Sequence, residues 1–190
     1  MTTPDPGFRF GGRLSLDLTW TLRYRAVAPT DLLSSPADLR RWVTVAVAPC
    51  SGAVTPADLH AALELREAVY SAALAVVEDR PVGRADRSVL NRWAARPAPF
   101  LRLDTSGRSV RVLQPGDEVA SALAVVALDA IELMSAADGR LRRCAGPGCA
   151  LLFYDSSRPG RRRWCSTERC GNRVNTATYR RRQSDGTTNH

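Results

Sequence analysis

Four of the five cysteines stand in two short pairs near the C-terminus, and this spacing constrains the fold more than any other feature. Cys144 and Cys149 form one pair, and Cys165 and Cys170 form the other, with four residues inside each pair and fifteen between the pairs. Zn²⁺ takes four soft or borderline ligands at tetrahedral angles, and two cysteine pairs on either side of a hairpin supply them. The sequence therefore predicts a four-cysteine zinc site.

The competing interpretation is a pair of disulfide bonds, which small secreted domains form from cysteines at similar spacing. Two observations favour the metal. The first residues, MTTPDPGFRFGGR, lack the apolar region of a signal peptide, and Cys50 would be left as an odd cysteine. We therefore expect zinc as the cofactor and a cytoplasmic location.

The residues around the cysteines predict the order of elements in this module. Glycine and proline at positions 146–148 allow a tight turn around a metal. Strand-like runs over 151–154 and 161–164 flank a segment rich in turn-forming residues, and a helical pattern follows Cys170. The order of knuckle, hairpin, knuckle and helix is the layout of a treble-clef-like zinc finger.

The charge of the chain is divided unequally along its length. The 190 residues carry a net charge of +8; up to residue 139 there are 15 arginines against 16 acidic residues, a balance of −1. From residue 140 onward 12 arginines face three acidic residues, a balance of +9. Such asymmetry indicates a polyanionic partner for the second part alone. No apolar stretch approaches the roughly 20 residues that span a bilayer, so we expect no membrane association.

Helical periodicity dominates the first 139 residues. The last helix in this part is apolar on nearly every side, so we expect it at the centre of the core. The predicted class is α+β: a mostly helical N-terminal domain (1–139) with a β-hairpin, a finger (140–183) and a disordered tail (184–190). The predicted elements are a strand over 8–10, helices over 14–25, 36–47, 56–79, 84–95 and 116–136, and a hairpin of 100–103 with 109–113.

The finger carries motifs of a known family. Cys170-Gly171-Asn172-Arg173 is preceded by Arg162-Arg163-Trp164-Cys165 and by Leu152-Phe153-Tyr154-Asp155. This region resembles the CGNR-type zinc finger. Bacterial proteins with that finger carry an N-terminal domain called ABATE and look like stress-linked transcription regulators.

The N-terminal part resembles the ABATE domain itself. Its landmarks are Gly12-Arg13-Leu14-x-Leu16-Asp17, Leu39-x-x-Trp42, the run LREAVY at 65–70, and Asp129-Ala130. The resemblance implies a mostly helical α+β domain that binds a ligand. The family usually has an Asn-Thr pair after its Leu-Asp, and here the matching positions are Trp20 and Thr21.

Three charged residues lie on faces that are otherwise apolar: Asp17, Arg66 and Asp129. Because a buried charge needs a partner, we expect them to meet in the core. They form either a structural ion pair that fixes helix packing or the polar patch of a ligand pocket. In a pocket, Arg66 would take a carboxylate or a phosphate.

The arginines of the finger form the candidate nucleic-acid surface. Alternation along the predicted strand places Arg161 and Arg163 on one face. The helix after the last cysteine carries residue types that contact base edges and phosphates. Arg173, directly after a ligand, has a structural interpretation as well. The predicted contacts are Arg161, Arg163, Arg173, Asn175, Tyr179, Arg180, Arg181 and Arg182.

Catalysis is not expected. His60 and His190 are the two histidines, no catalytic triad or phosphate-loop spacing occurs, and a four-cysteine zinc site has no open position for a substrate. The sequence predicts a zinc-dependent transcription regulator that binds double-stranded DNA. The N-terminal domain would sense a small-molecule ligand or form a homodimer. The alternative is a zinc module that binds RNA or a protein partner.

Overall fold

The computed structural model describes residues 7–9 and 11–172 of the chain. The order of its helices and strands largely follows the prediction. The strands form three separate antiparallel pairs, β1–β2, β3–β4 and β5–β6. The helices are α1 (Leu14–Thr19), α2 (Pro36–Ala46), α3 (Pro56–Val77), α4 (Arg84–Ala94) and α5 (Glu118–Ser135), and the strands are β1 (Leu22–Arg23), β2 (Thr30–Asp31), β3 (Phe100–Leu103), β4 (Ser109–Val112), β5 (Leu141–Arg143) and β6 (Leu152–Tyr154).

The predicted starts of α2 and α3 are confirmed, together with the chemistry that sets them. The Ser35 hydroxyl accepts a hydrogen bond from the backbone N–H of Asp38 at the start of α2. At the start of α3, Thr55 and Asp58 form a reciprocal capping box. Both helices place proline in the first turn, where its missing N–H is not needed.

Helix α5 lies at the centre of the core, as its apolar sequence predicts. It packs against α1, α3 and α4. Ala122, Leu123, Ala124, Val126 and Ala127 on α5 are fully buried. Small alanine side chains on α5 and α3 let these two helices approach closely, and this core holds the N-terminal domain together.

The first helix is much shorter than predicted: it ends at Thr19 and not near Arg25. The hydroxyls of Thr19 and Thr21 donate to the carbonyls of Leu16 and Leu18, which competes with continued helix formation. The chain then forms β1, which pairs with β2. Asp31, between the predicted helices 14–25 and 36–47, is therefore part of a strand.

The hairpin of the finger uses a different pair of strands from the predicted one. β5 pairs with β6, with Leu141 opposite Tyr154 and Arg143 opposite Leu152. Residues 161–164 are not a strand, although the Ala145 N–H donates to the Arg163 carbonyl at 2.9 Å. The first cysteine knuckle consequently lies at the turn of the hairpin.

Two further observations complete the fold. Phe8 is buried against the core without belonging to a strand, and Phe10 lies outside the described residues. None of the helices in the described part of the chain is both long enough and apolar enough to cross a membrane.

Candidate metal centre and its arginine surface

The four predicted cysteine ligands converge on one point in the finger. Cys144 follows β5, Cys149 precedes β6, and Cys170 lies in a π-helical turn, Thr167–Gly171. All four sulfur atoms lie within 4.8 Å of one another and all four residues are buried. The Sγ atom of Cys165 lies 3.7 Å from that of Cys149 and 3.7 Å from that of Cys170.

These separations fit zinc. A tetrahedron of sulfurs with Zn–S bonds of about 2.3 Å has edges of about 3.8 Å, whereas a disulfide needs sulfurs about 2 Å apart. All five cysteines are free. The donor set of four thiolates is the one that structural zinc sites use, and it leaves no open coordination position. The finger therefore binds Zn²⁺ through Cys144, Cys149, Cys165 and Cys170.

Neighbouring cysteine side chains and backbone N–H groups favour the thiolate form of one ligand, Cys144. The N–H groups of Gly146 and Cys165 donate to the Cys144 sulfur at 3.4 and 3.3 Å. Hydrogen bonds from the thiols of Cys149 and Cys165, together with these N–H groups, lower the pKa of Cys144 below that of a free thiol. The contacts between the sulfur atoms raise the pKa of Cys149 and of Cys165, so without a metal the thiolate form is favoured at Cys144 and disfavoured at those two ligands.

The two glycines of the first knuckle, Gly146 and Gly148, are each required for a different structural reason. A Cβ atom on Gly146 would lie 2.9 Å from the Cys170 sulfur and 3.4 Å from the Cys144 sulfur, so a side chain there would push two ligands apart. Gly148 adopts a φ of 69°, and a Cβ there would clash with Val27. Glycine was expected here because it allows a tight turn, but the steric limit at Gly146 comes from the metal site.

A buried carboxylate fixes the loop after β6, and sequence reasoning did not identify it as a site residue. Asp155 is fully buried. It accepts hydrogen bonds from the Ser157 N–H at 3.0 Å and the Arg162 N–H at 2.7 Å. The signal was the Asp-Ser-Ser sequence, in which aspartate accepts from the backbone two residues further on. Asp155 thereby positions the chain that leads to Cys165.

The finger packs directly on the N-terminal domain. The Trp20 indole N–H donates to the Leu152 carbonyl at 2.6 Å, and the Tyr70 hydroxyl donates to the Ala150 carbonyl at 2.9 Å. Trp20 also belongs to the apolar cluster that contains the four ligand cysteines. A second cluster joins Leu16 to Leu152. Trp20 was noted only as a departure from the family pattern, and its contact with the finger was not predicted.

The two described arginines of the predicted nucleic-acid surface are both exposed. Arg161 and Arg163 point to solvent while Arg162 between them is half-buried, so the alternation holds in an extended segment that is not a strand. The Arg163 guanidinium lies 5.1 Å from the Trp164 ring. Arg162 donates to the Cys165 carbonyl and lies 5.4 Å from the Phe153 ring. The remaining predicted contacts, Arg173, Asn175, Tyr179, Arg180, Arg181 and Arg182, lie outside the described residues.

The expectation that Asp17, Arg66 and Asp129 meet is wrong. Arg66 is bound by both carboxylate oxygens of Asp31, at 2.7 and 2.8 Å, and by Glu67 at 2.8 Å. The short first helix explains the error, because β1 and β2 bring Asp31 to Arg66.

The two aspartates lie apart from that network. Asp129 binds the Arg13 guanidinium at 3.0 Å and the Ser15 N–H at 2.8 Å. Asp17 accepts from the Gly11 N–H, and burial raises its pKa to about 6. A ligand role for any of these three residues stays a prediction.

Comparison with known families agrees with this architecture. Residues 12–137 match the ABATE family model, described as "Putative stress-induced transcription regulator", and residues 140–183 match the model of the CGNR zinc finger. No curated protein shows a significant match to the chain. Because the first match covers well over half of the 190 residues, the chain belongs to the ABATE family and carries a CGNR zinc finger behind its ABATE domain.

Proposed function

We propose that this protein regulates transcription by binding double-stranded DNA through its zinc finger. The proposal rests on a difference in ion pairing: many arginines of the N-terminal domain have acidic partners, and few of the described finger arginines do. In the N-terminal domain, arginines such as Arg13, Arg25, Arg66 and Arg92 form ion pairs with aspartate or glutamate. Those arginines are engaged in the fold.

The finger arginines that the structure describes have few acidic partners. Among the described ion pairs, the one that involves a finger arginine joins Arg142 to Asp155 across 3.9 Å. Asp155 is fully buried, so its carboxylate is not accessible to the exposed arginines. Exposed arginines without acidic partners are suited to phosphate groups, which supply most of the affinity of non-specific DNA binding.

The zinc site gives these arginines a fixed position. The backbone carbonyl of Arg163 accepts a hydrogen bond from the Ala145 N–H, one residue after the ligand Cys144. A module of this size needs the metal to fold. Removal of zinc would therefore unfold the finger, and its arginines would no longer form one surface. Arg173, Asn175, Tyr179 and Arg180–Arg182 remain part of the proposal as base and phosphate contacts on sequence grounds alone.

The N-terminal domain has two proposed roles, ligand sensing and self-association. The contacts of Trp20 and Tyr70 with the finger would transmit a ligand-induced change to the DNA-binding surface. The β3–β4 hairpin offers a surface for a homodimer, because Leu101 and Leu103 are each 70 % exposed. Sedimentation of Leu101→Glu against the natural chain tests self-association: a dimer held by this hairpin dissociates in the variant.

The experiment that tests DNA binding compares nucleic acids directly. The zinc-loaded full chain is titrated with a labelled 30-base-pair DNA duplex, and unlabelled DNA duplex, RNA duplex and single strands compete. DNA duplex should compete best, and chelation of zinc should abolish binding. Stronger competition by RNA supports the alternative of an RNA-binding module, and the absence of any binding favours a protein partner.

Two variant pairs sharpen the comparison. Arg161→Ala/Arg163→Ala removes the exposed cationic pair, and Arg40→Ala/Arg84→Ala removes two exposed arginines of the N-terminal domain as a matched control. Both variants lose the same charge. The first should weaken DNA binding and the second should not; equal effects would show that the finger has no special role.

A further inference from the structure

A groove of about 490 Å³ opens between the two domains, on the side where α3 and α5 end. Its two walls differ in chemistry. The N-terminal domain supplies Val76, Val77 and Leu133, which are apolar. The finger supplies four arginines: Arg142, Arg143, Arg162 and Arg163.

The arginine wall, formed by these four residues, has hydrogen-bond donors without partners among the described residues. Among the described residues, the Arg143 side chain has no hydrogen bond or ion pair, and the Arg163 side chain has a ring contact with Trp164 but no hydrogen bond or ion pair. The Nε atom of Arg142 is buried and lacks a hydrogen-bond partner in the described part of the chain, with Asp155 no closer than 3.9 Å. A buried guanidinium nitrogen without a partner costs free energy, which an incoming anion would recover.

The acidic residue in the lining does not neutralise this wall. The Asp138 carboxylate accepts a hydrogen bond from the Tyr154 hydroxyl at 2.7 Å and another from the Arg140 N–H at 3.0 Å. These donors are neutral, so Asp138 keeps its charge, but that single negative charge opposes four arginines in the lining. The groove keeps an excess of positive charge over its finger side.

Phosphates of DNA explain the arginines but not the apolar wall opposite them. The volume lies in the range of small-molecule sites, which combine an apolar lining with a few polar groups. We propose that this groove binds an amphipathic anion: a carboxylate, sulfonate or phosphate joined to an aromatic or aliphatic body. The anionic group lies against Arg143 and Arg163, and the apolar body lies against Val76, Val77 and Leu133.

The site has a regulatory consequence, and this part rests on the proposed function. Arg163 lines the groove and also belongs to the proposed DNA surface. A bound anion occupies this guanidinium and lowers the affinity for DNA, and DNA in turn lowers the affinity for the anion by the same factor.

The test uses 8-anilinonaphthalene-1-sulfonate, a fluorescent amphipathic anion, and N-phenyl-1-naphthylamine, which has the same aromatic body without the sulfonate. The zinc-loaded full chain is titrated with each in the absence of DNA. We expect one sulfonate probe per chain, bound at least about tenfold more tightly than the neutral amine, since a charge-assisted hydrogen bond supplies that factor.

Variants locate the site. Arg143→Ala/Arg163→Ala should weaken the sulfonate probe by about tenfold or more and leave the neutral amine unchanged. Val77→Gln should weaken both probes, and Arg40→Ala/Arg84→Ala should weaken neither. Thermal unfolding of each variant verifies that the fold is retained.

Three results would overturn the proposal: equal affinity for the two probes, unchanged sulfonate affinity in Arg143→Ala/Arg163→Ala, or many probe molecules bound per chain. The titration contains no DNA, so a failure of DNA binding leaves this result intact. DNA added in a second titration tests the competition separately. DNA binding that persists without displacing the probe would contradict the regulatory consequence alone.

Discussion

The indole nitrogen of Trp20 lies 2.6 Å from the carbonyl oxygen of Leu152, and this hydrogen bond joins the end of α1 to strand β6 of the zinc finger. Trp20 is 7 % exposed and Leu152 is fully buried. The ring packs in the same cluster as the four ligand cysteines. The metal site is therefore covered on one side by the N-terminal domain, and the two domains stabilise each other.

Replacing Trp20 tests this coupling. Trp20→Phe keeps an aromatic ring but leaves the Leu152 carbonyl without its donor, so we expect a loss of about 1–3 kcal/mol in the free energy of unfolding. Trp93→Phe is the control, because the Trp93 indole N–H has no hydrogen-bond partner among the described residues. Denaturant unfolding with zinc present measures both. A similar loss in the two variants would show that the hydrogen bond to Leu152 has no particular role.

Removing the metal should affect both domains. Cys170→Ser, or chelation of zinc, should unfold the finger because so small a module lacks a sufficient core of its own. The helical circular dichroism signal of the N-terminal domain should persist. The domain should nevertheless melt at a lower temperature, because Trp20 and Leu16 lose their apolar contacts with the finger. Tryptophan fluorescence should shift to the red. Two disulfides found by mass spectrometry, with no zinc bound, would contradict the metal assignment.

The features that could be predicted from the sequence are those set by residues close together in the chain. Cysteine spacing predicted the ligand set, and the predicted helices over 36–47 and 56–79 begin where α2 and α3 do. The end of α1 was missed because the Thr19 and Thr21 hydroxyls decide it by hydrogen bonds that apolar periodicity does not register. Residues distant in sequence could not be paired from the sequence alone, as with Arg66 and Asp31, or Trp20 and Leu152.

Arg66 is the most deeply buried charged partner in the N-terminal network, with a side chain 4 % exposed. Arg66→Ala leaves Asp31 and Glu67 without this cation, but their side chains are 34 % and 48 % exposed and can be solvated, so we expect a loss of about 1.5–3 kcal/mol, that of a hydrogen bond to a charged group. Arg80→Ala is the matched control, because the Arg80–Glu78 pair lies on the surface and contributes about 1 kcal/mol or less. Thermal unfolding measures both. An unchanged melting temperature for Arg66→Ala would refute a structural role.

Asp17 should make stability depend on pH. Burial raises its pKa from 3.8 to about 6, so the folded protein holds this proton more tightly than the unfolded chain does. The stability of the natural protein therefore falls as the pH rises from about 4 to about 6, by up to about 3 kcal/mol. Asp17→Asn keeps an acceptor for the Gly11 N–H and removes the charge.

Asp17→Asn should accordingly be more stable than the natural protein at pH 7.5, with an advantage about half as large at pH 5. Denaturant unfolding at the two pH values, with zinc present, measures this difference. An advantage that grows on acidification, or a destabilised variant at pH 7.5, would contradict the raised pKa.

The salt dependence of DNA binding tests the central claim most directly. Affinity of the zinc-loaded full chain for a DNA duplex is measured over a range of salt concentrations, and log K is plotted against log[salt]. With about five phosphates contacted the slope should be near −4.5, and Arg161→Ala/Arg163→Ala should flatten it by about 1.8. Arg40→Ala/Arg84→Ala should leave the slope unchanged. Affinity that does not vary with salt, or a slope that the finger variant leaves unaltered, would contradict DNA binding through the arginine surface of the finger.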